Sequence, residues 1–281
     1  MKTTRRNFLK AVSLGITAGA ITGGMAGCDG PPRTRQEGET RLQLGMASYS
    51  LRQFSLDEAL AMTNRLGLEY ISLKSMHLPY ESSEAELNTA VAKVRSAGLN
   101  LYGGGVIYME SEQEVNDAFA YASAAGFQVI IGVPAHDLLD LVNQKVQEYD
   151  IKIAIHNHGP GDEQYPSPER VYERVEDLDE RIGLCIDVGH TERLGIKPAE
   201  QILQYAERLH DVHIKDVNAA TAEGETVEIG RGVVDIPGVL RTLSQINYQG
   251  VVALEYEKDP NDPLPGAAES VGFLRGVLEM I

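Results

Sequence analysis

Eight short apolar runs, each followed by a stretch of helical period, recur from Leu42 to the C-terminus. The runs predict strands over Leu42–Ala47, Tyr70–Leu73, Leu99–Tyr102, Gln128–Val133, Ile151–His156, Gly183–Asp187, Val212–Lys215 and Val251–Glu255. Helices are predicted over Ser55–Leu66, Glu84–Ala97, Glu112–Ala125, His136–Tyr149, Ser167–Arg174, Pro198–Arg208, Ile236–Ile246 and Ala267–Met280. Ser55 and Ser167 stand where N-caps belong, the latter followed by Pro168, and Gly67, Gly98 and Gly126 stand where helices should end. Strict β-then-α alternation fits a closed (β/α)8 barrel, one α/β domain, better than a doubly wound sheet. No dinucleotide fingerprint or phosphate-binding loop is present, and Gly103, Gly104 and Gly105 read as a loop hinge.

The last four predicted strands each end on a metal-ligand type: His156 and His158 in IAIHNHG, Asp187 in LCIDVGH, His213 in DVHIKD and Glu255 in VALEYE. Strand C-termini converge on one face of such a barrel, so residues roughly 30 positions apart meet there. Side chains alternate along a strand. His156 therefore shares a face with Ala154, Asp187 with Cys185, His213 with Asp211 and Lys215, and Glu255 with Ala253. The intervening aliphatics are left for the helix layer. Lys74 ends a similar file on the second strand, with His77 three residues on.

Two imidazoles and two carboxylates make a mixed N/O site suited to Mn²⁺, Fe²⁺, Co²⁺ or Zn²⁺. Four such ligands leave room for two substrate oxygens on a six-coordinate ion. A bound ion would polarise a carbonyl and stabilise the enediolate left when the neighbouring C–H loses its proton. Glu255, His158 and Lys74 are all candidates for the base. Lys215 either contacts substrate or pairs with Asp216 to orient His213.

Residues 1–27 read as an export signal. Thr4 to Lys10 (TRRNFLK) resembles a twin-arginine motif, and a short Gly/Ala-rich apolar stretch follows. Met25-Ala26-Gly27-Cys28 resembles a lipobox, which would place a lipid on Cys28 and the protein in the periplasm or cell envelope. Residues 28–40 are polar and rich in Pro and Gly, a tether ahead of a barrel over 41–281. The signal carries four positive charges and no acid, so its removal moves the net charge from −16 to −20. That acidity disfavours nucleic acid and anionic membrane surfaces, leaving a small molecule as partner and the lipid as the one membrane contact. With Cys28 lipidated, Cys185 has no disulfide partner. Homo-oligomerisation stays open.

The His-x-His, Asp-x-x-His, His-x-Lys-Asp and Glu strand ends, with GRGVVDIPGVL before the last strand, resemble the xylose isomerase-like TIM barrels. That family includes sugar phosphate isomerases and epimerases, inosose dehydratase, and keto-sugar lyases or hydratases. The resemblance implies metal ligands at His156, Asp187, His213 and Glu255. It implies substrate contacts at His190, three residues after the aspartate, and at Arg231 in the loop after the metal histidine. The epimerases usually carry glutamate where His156 stands and use it with the last-strand glutamate as two bases. The His-Asn-His form here, with Lys74-x-x-His77 on the second strand, looks more like the branch acting on keto-sugars and keto-glycosides by elimination or hydration. His77 is then a further substrate contact. Two other classes fit less well: a lipid-anchored sugar-binding protein without turnover, and a phosphodiesterase resembling endonuclease IV, which needs more ligands and a basic surface.

Overall fold

The computed structural model describes residues 42–281; the expected signal and tether lie outside them. The strands are β1 (Gln43–Ala47), β2 (Tyr70–Leu73), β3 (Asn100–Met109), β4 (Val129–Pro134), β5 (Lys152–His156), β6 (Ile182–Asp187), β7 (Leu209–Ile214), β8 (Asp216–Val217), β9 (Thr226–Val227) and β10 (Val251–Leu254). Eight of them pair in parallel as a closed barrel in the order β1-β10-β7-β6-β5-β4-β3-β2, while β8 and β9 form a separate antiparallel hairpin. The barrel is the expected (β/α)8 architecture.

The principal helices are α1 (Leu56–Arg65), α2 (Glu84–Ser96), α3 (Glu112–Ala125), α4 (Leu139–Tyr149), α5 (Pro168–Val175), α6 (Val188–Glu192), α7 (Pro198–Gln204), α8 (Ile236–Gln245) and α9 (Leu264–Leu278). Their starts follow local chemistry. Ser55 and Ser83 each close a capping box with Glu58 and Glu86, and Ser167 caps α5 with Pro168 in its first turn. Gly126 ends α3 in the left-handed conformation.

Alternation along the strands explains the layering. Ile153, Ile155, Leu184, Ile186, Val212, Ile214, Val252 and Leu254 are buried and alternate with the polar files. Each such side chain contributes about 1.5–3 kcal/mol of burial. The resulting apolar layer holds the strands in the register that lines up their C-terminal ends.

Two expectations about these elements are corrected, and two elements were not foreseen. Gly103, Gly104 and Gly105 are not a hinge: they lie inside β3, which runs on to Met109. β4 passes so close that a Cβ on Gly105 would collide with the Ile131 carbonyl. The last helix begins at Leu264 rather than Ala267. The short helix α6 and the β8–β9 hairpin carry too few residues for periodicity to reveal them, and both sit beside the site.

Candidate metal centre and active site

His156 closes β5 and Asp187 closes β6, while His213 is on β7 and Glu255 follows β10. Parallel register places Asp187 opposite His213, and His213 opposite Ala253, two residues before Glu255. The four side chains meet, each offering one ligand atom, with all four atoms within 4.8 Å of one another. His156 Nε2 is 3.1 Å from His213 Nδ1 and 3.5 Å from Asp187 Oδ2, and His213 Nδ1 is 3.4 Å from Glu255 Oε2. All four residues are buried.

Asp187 shows how the local fold aims a ligand. It caps α6, so its Oδ1 accepts from the His190 backbone N–H at 2.7 Å. Asn157 Oδ1 accepts from the Asp187 N–H at 3.0 Å, and Thr191 donates to the Asp187 carbonyl at 2.7 Å. Only Oδ2 is left for the cluster. This buried oxygen has no well-directed hydrogen bond, although the Lys215 ammonium stands 3.0 Å away. A buried carboxylate oxygen without a directed hydrogen bond, beside two imidazoles and a second carboxylate, fits a divalent cation.

Lys215 is buried against the same carboxylates. Its Nζ lies 2.7 Å from Glu255 Oε2, 3.0 Å from Asp187 Oδ2 and in contact with Glu257 Oε1. Burial alone would pull the ammonium down, but Asp187, Glu255 and Glu257 hold it well above its ordinary value. Reciprocally, burial pushes Asp187 and Glu255 up, and Lys215 with the neighbouring histidines outweighs it, keeping both carboxylates ionised. Burial also pulls His213 down, yet Glu255, Asp211 and Asp187 raise it overall. His156 is drawn down to about 4 by burial, helped by His213 and His158, so it is neutral and able to ligate near pH 7.

The expected pairing of Lys215 with Asp216 does not occur. Asp216 turns away and accepts from the N–H groups of Gly230, Gly232 and Val234, folding the loop before α8. The carboxylate beside His213 is Asp211, two residues earlier on the same face of β7, with Oδ2 3.5 Å from Nε2. Cys185 also donates to Asp211 Oδ2 at 3.5 Å. Burial pushes Asp211 up to about 6.

Of the other expected site residues, His158 and His190 pack against the cluster and Lys74 feels the charge of Glu255. The ring centroid of His158 is 4.6 Å from that of His156; its Nε2 is 3.0 Å from Tyr108 Oη and its Nδ1 3.6 Å from Asp162. His190 is 5.9 Å from His156, ring to ring, and is drawn down to about 3 by burial and by the positive charge of Lys215. Lys74 donates to the Val106 carbonyl at 3.2 Å and stands 5.4 Å from the centre of the Tyr49 ring. Its pKa is lowered by burial, against the pull of Glu255 and Glu257.

Two do not join them. His77 is buried with both ring nitrogens engaged, Nδ1 with Ser48 Oγ at 2.9 Å and Nε2 with the Phe54 carbonyl at 3.1 Å. It braces the turn after β1 and has no nitrogen left for a substrate. Arg231 is exposed, and Glu269 of α9 holds its guanidinium through two bonds of 2.5 and 2.6 Å. Beside the cluster lies a cavity of about 460 Å³ whose lining includes His190, Arg193, Glu257, Lys258 and Lys215, the last touching Asp187 and Glu255. Arg231 is not among its lining residues. Sequence reasoning missed Arg193 because α6 was not foreseen. Asp211 was legible in D-x-H-x-K as a residue sharing the face of His213.

The sequence profile of the xylose isomerase-like TIM barrels matches residues 135–277, which contain all four cluster residues. Among known proteins, the chain is similar to the rhizopine catabolism protein MocC of Rhizobium meliloti, 31% identical over 144 residues, 46% of this chain and 43% of that one. It is also similar to inosose dehydratase of Clostridium beijerinckii, 25% identical over 140 residues, 44% of this chain and 46% of that one. The chain thus spans about half the length of the curated relatives it matches. The structure of 3-keto-D-glucoside 4-epimerase from E. coli shares the fold, with a TM-score of 0.68 at 14% identity, over 84% of this chain and all of that one. Strand order, the clustered strand ends and a profile match over half its length agree: the chain belongs to the xylose isomerase-like TIM barrel family.

Proposed function

We propose that this protein is a divalent-metal-dependent enzyme that removes a proton beside the carbonyl of a sugar or keto-sugar. The observation that carries the reading is the convergence of His156, Asp187, His213 and Glu255 on one point, next to a cavity of sugar size that Lys215 and His190 line. These four residues would hold the metal. When bound, it supplies a Lewis acid that draws electron density from the substrate carbonyl. No thiolate is needed in this set, and the donors suit Mn²⁺, Co²⁺, Fe²⁺ or Zn²⁺. The names of the relatives support the substrate class: an inosose dehydratase, and in the fold alone a 3-keto-glucoside epimerase.

The protein's own groups divide the remaining work. Glu255 is a weak base, since Lys215 and His213 hold its proton affinity low. His158 is partly exposed and kept neutral by burial, with the Asp162 carboxylate behind it. Its Nε2, which meets the exposed Tyr108 Oη, takes the proton from carbon once the substrate displaces that hydroxyl. Lys74, whose pKa burial lowers, is the cation placed to return a proton to oxygen. With His156 in the set, Glu255 is the one glutamate among the four residues, which favours elimination or hydration of a keto-sugar over two-base epimerisation. Export by the twin-arginine route and a lipid at Cys28 complete the reading, both resting on residues 1–28.

¹H NMR in D₂O with ketoses, inososes and 3-keto-glycosides tests it. Deuterium appearing at one carbon beside the carbonyl is the expected result, and an unsaturated product identifies the lyase. A metal-loaded, folded protein that exchanges no proton with any of them would leave only the sugar-binding alternative.

A further inference from the structure

Arg193 lies on the wall of the cavity, directly after α6. Its guanidinium has no carboxylate within ion-pair distance among the described residues, unlike Lys215 and Lys258 on the same wall. One arm, Nη2, donates to the Ala222 carbonyl at 2.5 Å, on the loop that joins β8 to β9. The other arm, Nη1, lies 3.3 Å from His190 Nδ1. Nε is buried without a partner.

A guanidinium has five N–H donors and no acceptor. A contact between Arg193 Nη1 and His190 Nδ1 is a hydrogen bond only if Nδ1 carries a lone pair. A proton there would set two donors against each other. The ring proton must then be on Nε2. The main chain at His190 is fixed independently, because its backbone N–H donates to Asp187 Oδ1, and the ring packs edge-on against that of His156 at 5.9 Å. Among the described residues Nε2 has no hydrogen-bond partner, and His190 lines the cavity.

We infer that Arg193 is a positioning residue that locks His190 as the neutral Nε2–H tautomer, making it a donor to a substrate oxygen and not a proton acceptor. The substrate group facing His190 is accordingly an oxygen that accepts a hydrogen bond, a carbonyl or a hydroxyl lone pair. An N–H group at that position would be rejected. This rests on the proposed sugar chemistry only for the identity of the oxygen; the tautomer is a property of the protein alone.

Long-range ¹H–¹⁵N NMR of the ¹⁵N-histidine-labelled, Zn²⁺-loaded full chain reads the tautomer without any turnover, with His190→Gln assigning the ring. The Nε2–H pattern is expected in the wild type, a mixture of tautomers in Arg193→Met, and recovery towards Nε2–H in Arg193→Lys, which also only donates. A wild-type ring protonated on Nδ1, or an Arg193→Met spectrum indistinguishable from wild type, overturns the inference. The wild-type spectrum decides even if a variant fails to fold. If a substrate is found, Arg193→Met should lower kcat about tenfold with little change in KM, less than the 10²–10³ typical of deleting an oxyanion donor outright. Absence of turnover with an intact Nε2–H spectrum would count against the sugar reading and leave the tautomer standing.

Discussion

Lys215 Nζ lies 2.7 Å from Glu255 Oε2, the carboxylate oxygen that faces His213 Nδ1 at 3.4 Å. An ammonium and a proposed metal ligand thus share an oxygen atom, and Asp187 Oδ2 is shared in the same way at 3.0 Å. The buried carboxylates are neutralised from inside the protein, whatever cation the histidines bring to them.

Replacing Lys215 by methionine should therefore have opposite consequences in two states. Without metal, Asp187 and Glu255 become uncompensated buried charges, a loss of about 3–5 kcal/mol. With Mn²⁺ in excess, the ion is the only strong cation left and recovers much of that loss. Thermal midpoints with and without Mn²⁺ should show a larger metal-induced rise in the variant than in the wild type. Equal metal-free midpoints would show that the ammonium does not hold these carboxylates.

Asp211 stands 3.5 Å behind His213 Nε2, on the side away from the cluster. Carboxylates in that position fix the tautomer of a ligating histidine, and their loss costs about 10–100-fold in metal affinity. Asp211→Asn should weaken Mn²⁺ binding by that order in calorimetric titration while leaving the fold intact. Unchanged affinity would reduce Asp211 to a structural partner of Cys185.

The four strand ends were legible in the sequence because barrel topology turns a repeat in β/α units into convergence at a point. Alternation put His156, Asp187, His213 and Glu255 on inward files, and the structure gathers them. What happens one contact further out was not legible. His77 sits three residues past Lys74, which feels the charge of Glu255, yet Ser48 and Phe54 claim its ring, a fact of how the turn after β1 packs. Arg231 follows the right motif but meets Glu269, a pairing set by where α9 begins. Lys215 paired with Asp187 and Glu255 and not with Asp216, since alternation sends sequence neighbours to opposite faces.

Stability of the chelated protein should fall as pH drops from about 6.5 to 4. His156 and His210 are drawn down to about 4 and His190 to about 3, burial being the main cause in each. Unfolded histidines protonate near 6.5, so the unfolded chain binds more protons in that window and acidification favours it. Asp211, pushed up to about 6 by burial, works in the opposite sense between its ordinary value and 6, against these three and against His77 and His158, which burial also lowers. Thermal midpoints from pH 8 to pH 4 check this. His210→Gln, whose ring bonds the Glu180 carbonyl away from the cluster, should flatten the decline; a profile already flat in the wild type contradicts the account.

Export is tested through the residues proposed to direct it. Arg5→Lys with Arg6→Lys should leave the precursor in the cytoplasm, folded and metal-loaded, and Cys28→Ala should lose membrane attachment with turnover unchanged. Cell fractionation with immunoblotting reads both. Normal export of the double variant rules out the twin-arginine route, and undiminished anchoring of Cys28→Ala after signal cleavage rules out the lipid.

The central claim is that His156, Asp187, His213 and Glu255 form a metal centre, and elemental analysis of the purified protein tests it most directly. The account predicts close to one divalent transition-metal ion per chain in the wild type, and none in Asp187→Ala or His213→Ala prepared alongside. A folded wild-type chain that takes up no ion from Mn²⁺, Co²⁺, Fe²⁺ or Zn²⁺, or a variant that keeps a full equivalent, would contradict it.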